Sequence, residues 1–513
     1  MIITLISVDE TVAMLGVRDI SAILKQAGHE VKLLSMQGFT AKRNYNARQL
    51  EILEEYIKGD QLIGVSSMAI NRQKSLQILE LARKLGIITI WGGIYPTLFP
   101  AESCQYADYV CVGEGDGAIL DFVNHFENSQ PLEQIKNIAY LDKHTGQCAA
   151  NPLRPLLRDL DTQPLPDHDL ANQQILIDED LYTIAEYLLN PRHQSGRSLY
   201  IYAYSSRGCP YSCTFCSNSK LNDMHRNEKS RIRNKSIDRV IKELTVLKEI
   251  YWNFKKVWIV DDSFLTRDET VLQEFKEKYI KHINLPLDFF AAPNMLKYSK
   301  METLLPIDVS LIRVGVQSGS PHTLKEVYHR PIRNKYVTEA SRVLYDINNK
   351  HNTTINAVYQ FIINNPYEEA GDLIETIKLI KLIKPPFYIS IFFLTFFPGS
   401  KLYERAVADG IIRQENDRSD QEFLADNFKN HLTVNTKNLY LNSVLFWMHG
   451  EASEHFIGCI PRILVRFLIS GPMIFIHNRL KPLVMIYNKI AHKLQKPLSE
   501  FLNSFLKDNN KTN

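Results

Sequence analysis

Two successive runs of short β-rich segments alternating with amphipathic helical stretches constrain this chain more than any other feature. In the first run, Ile2 to Ile6, Val31 to Leu34, Leu62 to Ser66, Ile87 to Trp91 and Tyr109 to Val112 read as strands. Helical stretches near Ala13–Ala27, Ala47–Lys58 and Arg72–Leu85 separate them. Strand and helix in strict alternation demand a parallel sheet with helices on its faces, so residues 1–150 are expected to form a Rossmann-like, doubly wound α/β sheet. A Pro-dotted stretch follows, with Pro152, Pro155, Pro164 and Pro166. It reads as a linker, placed at 151–195.

The second run begins near Leu199. Strands are expected at Leu199–Ser205, Lys256–Val260, Leu287–Ala292, Leu311–Gln317, Thr354–Ile363 and Tyr388–Phe396, with helices between several of them. Six β/α units predict a partial barrel over 196–413, with chemistry at the strand ends. Residues 414–513 change character and read as a helical C-terminal appendage. Between His455 and Ser499 there are seven Lys and Arg residues and no Asp or Glu. Apolar runs are interleaved with them, a composition suited either to a cap on the barrel or to an interfacial helix, with Gly471-Pro472 expected to divide it. No apolar run reaches the length of a membrane span. The net charge of +3 over 513 residues is too small for general nucleic-acid binding. The opening Met1-Ile2-Ile3-Thr4-Leu5 reads as a strand rather than a leader, which predicts a cytoplasmic protein, with membrane association through 455–499 as a further expectation.

Chemistry concentrates in Arg207-Gly208-Cys209-Pro210-Tyr211-Ser212-Cys213-Thr214-Phe215-Cys216, directly after the first barrel strand. Three thiols at CxxxCxxC spacing suit a soft metal centre and not a disulfide framework. A zinc site would need a fourth ligand, and the nearest histidine is His225. Cys104, Cys111, Cys148 and Cys459 are scattered and read as packing residues.

At these residues the chain resembles the radical S-adenosylmethionine (SAM) superfamily, whose signature is CxxxCxxC with an aromatic before the last cysteine. The resemblance implies a 4Fe–4S cluster held by Cys209, Cys213 and Cys216, with SAM on the open iron and its adenine beside the Phe215 backbone. It extends through Asp261-Asp262 and Gln317-Ser318 at strand ends, where carboxylates and amides would hold the methionine and ribose of SAM. For Asp261 or Asp262 a helix N-cap is the competing role. After the fifth strand, Asn364-Asn365-Pro366-Tyr367-Glu368 stands in place of the family's glycine-rich turn.

The first 150 residues resemble the cobalamin-binding domain that precedes the barrel in one subfamily. Gly16, Ser66, Ser67, Gly92, Gly93, Tyr95, Gly113 and Glu114 are the implied cobalamin contacts. Where methionine-synthase-like domains place a cobalt-ligating histidine, this chain has Ala13, so no protein imidazole is expected beneath cobalt. The resemblance implies a cobalamin-dependent radical SAM enzyme that uses a 5′-deoxyadenosyl radical to methylate an unactivated carbon of a small molecule. Flavodoxin or ferredoxin would be its electron donor. Radical rearrangement or cyclisation without methyl transfer, and a non-catalytic corrin- or cluster-binding partner, are the alternatives. No catalytic residue can be named from the sequence.

Overall fold

A computed structural model describes residues 1–8, 13–36, 44–190, 200–228, 231–412 and 438–479. The first expected strand, β1 (Ile2–Val8), has six consecutive buried residues, as a central parallel strand covered on both faces requires. Parallel partners flank it: β2 (Glu30–Met36) on one side and β3 (Leu62–Ser67) on the other, the latter followed outward by β4 (Ile88–Gly92) and β5 (Tyr109–Cys111). The chain thus winds in opposite directions from β1, and the crevice between β1 and β3 is the switch point at which such sheets open to ligands.

Two antiparallel strands, β6 (Ile138–Leu141) and β7 (Cys148–Ala150), extend the β5 edge. At the other edge, β8 (Gln174–Ile177) runs parallel to β2 and β9 (Asp180–Thr183) turns back along it. This corrects the expectation of a linker over 151–195. The prolines end near residue 166, and the apolar Ile175 and Leu176 are drawn back to cover the open edge of β2. Residues 191–195 lie outside the described residues. Cys104 and Cys148 are also corrected: they stand together as a disulfide with Cα atoms 5.9 Å apart, joining the helix Pro100–Ser103 region to β7.

The second sheet begins at β10 (Tyr200–Ala203). A small antiparallel ribbon, β11 (Ser206–Arg207) with β12 (Arg233–Asn234), brackets the cysteine loop. The parallel series then continues through β13 (Lys256–Ile259), β14 (Leu287–Ala291), β15 (Val309–Gln317), β16 (Asn356–Ile363) and β17 (Phe387–Phe393), giving the six strands of a partial barrel. Crossover helices close each unit, and their ends are set locally. Ser236 caps Ile237–Ile250, and Glu369 with Asp372 forms a capping box on Ala370–Leu382.

Beyond the barrel, the helix Leu439–Trp447 packs on Ala370–Leu382. Three short strands, β18 (Gly450–Ala452), β19 (Phe456–Ile457) and β20 (Ile460–Pro461), pair antiparallel with the β17 edge and with one another. The appendage is therefore helical on either side of a small sheet extension, which covers an edge that would otherwise stay open. Short helices at Val465–Leu468 and Gly471–Arg479 follow, divided at Gly471-Pro472 as the sequence suggests. Residues 480–499, which hold four of the seven basic residues, lie outside the described residues.

Candidate functional site

Gly208 opens the cysteine loop with φ +95°, and a Cβ there would collide with the carbonyl oxygen of Arg231, so only glycine lets the loop leave the β11–β12 ribbon. The loop is then pinned from several sides. Asn222 donates to the carbonyl of Tyr211 at 3.0 Å, and Thr214 donates through its amide to Tyr328 O and through its hydroxyl to Val327 O. Leu402 N donates to Thr214 O at 2.8 Å. These contacts turn Cys209, Cys213 and Cys216 toward one cavity of about 170 Å³ at the strand ends, also lined by Phe215, Asp262 and Gln317.

Arg330 reaches the same cavity and donates to Cys213 Sγ at 3.3 Å and to Gly315 O at 2.7 Å. Arg313 lies with its guanidinium 3.7 Å from the Trp258 ring centre. Arg313 Nη1 stands 3.8 Å from the buried Asp288 Oδ2, whereas Arg330 Nε is buried without a hydrogen-bond partner, so Arg330 is the cation on this wall with donor capacity left for an electron-rich ligand. Burial pushes the Cys209 thiol up to about 12, with the Asp262 carboxylate adding to the effect, and burial likewise raises Cys216. Metal binding must therefore release protons here.

A larger cavity of about 510 Å³ opens between the first sheet and the barrel. Its floor is the switch point, with Leu5, Gly64 and Ile90; Gly16, Ser66, Gly92, Gly93, Gly113 and Glu114 stand around it, and Cys111 is also on its wall. At Gly16 a Cβ would meet no protein atom within 4 Å and would enter the open space. None of the described lining residues is a histidine, and Leu15 to Val17, just past Ala13, form that part of the wall. The barrel contributes Tyr204, Arg207, Gly208, Asp261 and Asp262. Asp262 lines both cavities, its carboxylate held by Asn218 Nδ2 at 3.1 Å and its acidity weakened by burial.

Buried ion pairs hold the two halves of this site in register. Arg207 donates to both oxygens of Asp116, at 2.8 and 3.0 Å, and to Asp19 at 3.1 Å. Tyr204 donates to the same Asp19 oxygen at 2.6 Å. Burial raises the Asp19 carboxyl, and Arg207 opposes that shift. Arg233 makes a second pair, bidentate to Glu114 at 2.6 and 2.9 Å.

Several expected contacts are not available to a ligand, either because their polar atoms are already engaged or because they point away from the cavities. Both Asp261 oxygens are taken, by the amides of Ser205 and Ser206, by the Ser205 hydroxyl and by Arg267, so this carboxylate braces the end of β10. The N-cap of the next helix is instead Asp268. Ser318 turns away from the cysteine cavity to Glu368 and Thr376, at 3.0 and 3.2 Å. Ser67 Oγ accepts from Trp91 Nε1 behind the sheet, and Tyr95 lies under Arg72, stacked near Trp91 and Phe99. In each case the strand pleat or a neighbouring polar group draws the side chain to the opposite face. His225 lines a different cavity, with Arg154 and Lys136, which removes it as a fourth ligand for the thiols.

Arg330, Arg313 and the Arg207 clamp escaped the sequence reading. Arg330 is 117 residues from Cys213 and no local spacing links them. Arg207, directly before Gly208-Cys209, carried the one available signal: a charge at a strand end beside a metal motif.

Known proteins resemble this arrangement. The B12 binding domain family matches residues 1–123 and the radical SAM superfamily matches residues 204–380. The chain is 23% identical over 362 residues to an uncharacterized methyltransferase of Pyrococcus horikoshii, spanning 69% of this chain and 71% of that one. It is 24% identical over 357 residues to the cytidylyl-2-hydroxyethylphosphonate methyltransferase of Streptomyces wedmorensis, spanning 62% of this chain and 64% of that one. Among solved structures, the cobalamin-dependent SAM radical enzyme OxsB, with aqua-cobalamin and SAM bound, superposes with a TM-score of 0.67 at 14% identity, over 98% of this chain and 81% of that one. The chain thus carries a match to the B12 binding domain ahead of a match to the radical SAM superfamily, and over 98% of its length its fold is similar to that of a cobalamin-dependent SAM radical enzyme.

Proposed function

We propose that the chain is a cobalamin-dependent radical SAM enzyme that methylates an unactivated carbon of a small molecule. The observation that carries this reading is the meeting of the two cavities at Asp262, which brings a three-thiol centre and a glycine-lined sheet crevice into one reaction space. The three thiols line one cavity, which suits a cluster of several irons. Bound there, the cluster with SAM would supply hydrogen abstraction from an unreactive carbon, and cobalamin would supply a methyl carrier.

The chain's own part is placement. Cys209, Cys213 and Cys216 would hold the cluster, with Arg330 fixing the Cys213 sulfur. Asp262 and Gln317 would take the amine and hydroxyl groups of SAM beside the Phe215 backbone, with the Arg330 guanidinium, whose Nε has no partner, on the same wall for its carboxylate. Gly16, Ser66, Gly92, Gly93, Gly113 and Glu114 would face cobalamin. Arg207 keeps the two cofactor halves at a fixed separation, and the apolar wall of Leu5, Val65 and Ile90 excludes water.

The cluster thiols Cys209, Cys213 and Cys216 are free, as cluster assembly requires, and flavodoxin or ferredoxin would be the electron donor. No helix of the described residues is long and apolar enough to cross a membrane. The basic, apolar tail 455–499 supports a peripheral membrane contact. The test is anaerobic reconstitution with iron, sulfide, cobalamin, SAM and reductant. Methylation predicts 5′-deoxyadenosine and S-adenosylhomocysteine together once substrate is supplied. 5′-Deoxyadenosine without S-adenosylhomocysteine would turn the reading to rearrangement or cyclisation, and neither product would make the protein a binding partner.

A further inference from the structure

A third cavity, of about 540 Å³, lies at the opposite end of the barrel from the cysteines, where the helix Ala370–Leu382 turns into the start of β17. Thr338, Arg342 and Tyr345 line it from one face of the helix Asn334–His351. Lys381 and Lys384 line it from the turn, and Arg462 enters from the segment after β20. Arg462 is held in place by the carbonyls of Lys381 and Ile383, at 3.3 and 3.4 Å, while its Nε is buried with no partner. Glu454 is the one acid on the wall. None of the four cations has an ion-pair partner among the described residues. In a chain of net charge +3, this is a strong local concentration of positive charge.

Large apolar side chains stand out beside it. Leu382, between the two carbonyls that hold Arg462, is 65% exposed, and Ile463, next to Arg462, is 85% exposed. Leu464 and Phe467 continue the ridge, with Arg466 between them also exposed. Cations around a hollow and aliphatic and aromatic side chains at its rim are complementary to a phosphate-bearing surface over hydrocarbon.

We propose that this cavity and ridge form the docking surface for an anionic phospholipid bilayer, with a headgroup phosphate entering among Arg342, Lys381, Lys384 and Arg462. The inference rests on the peripheral-contact reading of the tail and narrows the point of attachment to the end of the barrel and the start of the tail that lies against it. Because the cysteine cavity faces the other end of the strands, docking leaves it unobstructed.

The full-length protein should sediment with vesicles of phosphatidylcholine containing one-third phosphatidylglycerol at low salt, and not with phosphatidylcholine alone. Each cation near an anionic leaflet contributes about fivefold to partitioning, so the R342E/K381E/K384E variant should lose at least about a hundredfold. L382S/I463S should lose binding that persists at raised salt, and thermal unfolding of both variants checks that they fold. Formation of 5′-deoxyadenosine is read separately, so failure of docking and failure of the catalytic reading are distinct results. Equal sedimentation with both vesicles would overturn the proposal. So would full binding by the charge-reversed chain together with loss on changing Lys481, Lys489, Lys493 and Lys496 to Gln, which would return attachment to the tail. Inorganic phosphate that displaces the protein from vesicles at matched phosphate concentration would make this a free-anion site instead.

Discussion

The two cofactor cavities are built in opposite ways. Around the cysteines, the walls are side chains with polar or sulfur atoms: three thiols, two arginines, an aspartate, an asparagine, two glutamines and a tyrosine. In the sheet crevice, the walls are glycines, short aliphatic residues and backbone, and the polar side chains at its mouth are largely engaged with each other across the interface, Arg207 with Asp19 and Asp116, Arg233 with Glu114. A cluster must be ligated atom by atom, so its site is made of side chains and is sensitive to single substitutions. A large, rigid cofactor is held chiefly by shape, so its site is made of absences of side chain and tolerates changes that keep the space open.

That contrast is tested most severely at the thiols. The C209A/C213A/C216A variant should lose all cluster iron and its broad absorption near 400 nm, roughly the thiolate-to-iron region. Cobalamin retention by gel filtration should be unchanged. Iron retained in this variant, or cobalamin lost with the iron, would show that the two sites are not separable.

Next in size is the clamp between them. Arg207→Met leaves the buried Asp19 and Asp116 carboxylates without their cation, which should cost about 3–5 kcal/mol, read as a fall in Tm and faster proteolysis between the sheet and the barrel. A variant that melts like the parent would mean that the crevice is held closed by other contacts.

Neighbouring aspartates separate bracing from binding. Asp261→Asn removes a carboxylate that accepts two amides, a hydroxyl and a guanidinium, and should cost about 2–3 kcal/mol while SAM affinity in the surviving fold changes little. Asp262→Asn should do the reverse, weakening SAM binding in equilibrium dialysis with Tm almost unmoved.

The smallest effect lies behind the cysteine cavity, where burial raises Glu368 to about 7, partly offset by the hydrogen bond from Ser318. A carboxyl whose folded pKa exceeds its unfolded value contributes stability that is present below about 4.5 and is lost as pH rises through about 7. Glu368→Gln should therefore flatten the pH dependence of Tm across that window. Ser318→Ala should leave SAM binding intact where Gln317→Ala weakens it, since only Gln317 faces the cavity.

The legible parts share one property: they depend on residues close together in the chain. Strand and helix periods placed the five strands of the first run and the six of the barrel, because burial on one face or two imprints a period of 2 or 3.6 on neighbouring residues. The cysteine motif was legible for the same reason, its three ligands lying within one loop. The strand β8 was hidden because its partner β2 lies about 140 residues earlier, and β9, which pairs only with β8, is an edge strand of four residues that carries little pattern of its own.

By itself, then, the sequence determined the two parallel β/α runs, the thiol triad at a strand end, the glycines that open the crevice and the lack of a histidine at position 13. Tertiary structure alone decided which polar side chains at those strand ends look inward. Asp262 and Gln317 face the cavities, whereas Ser67, Tyr95 and Ser318 look away and Asp261 is consumed by the backbone of a neighbouring strand. It also brought Arg330 to Cys213 and Arg207 to Asp116. The direction of a side chain is set by the pleat, and its fate by whichever polar partner the fold delivers from far along the chain; neither is written in local spacing.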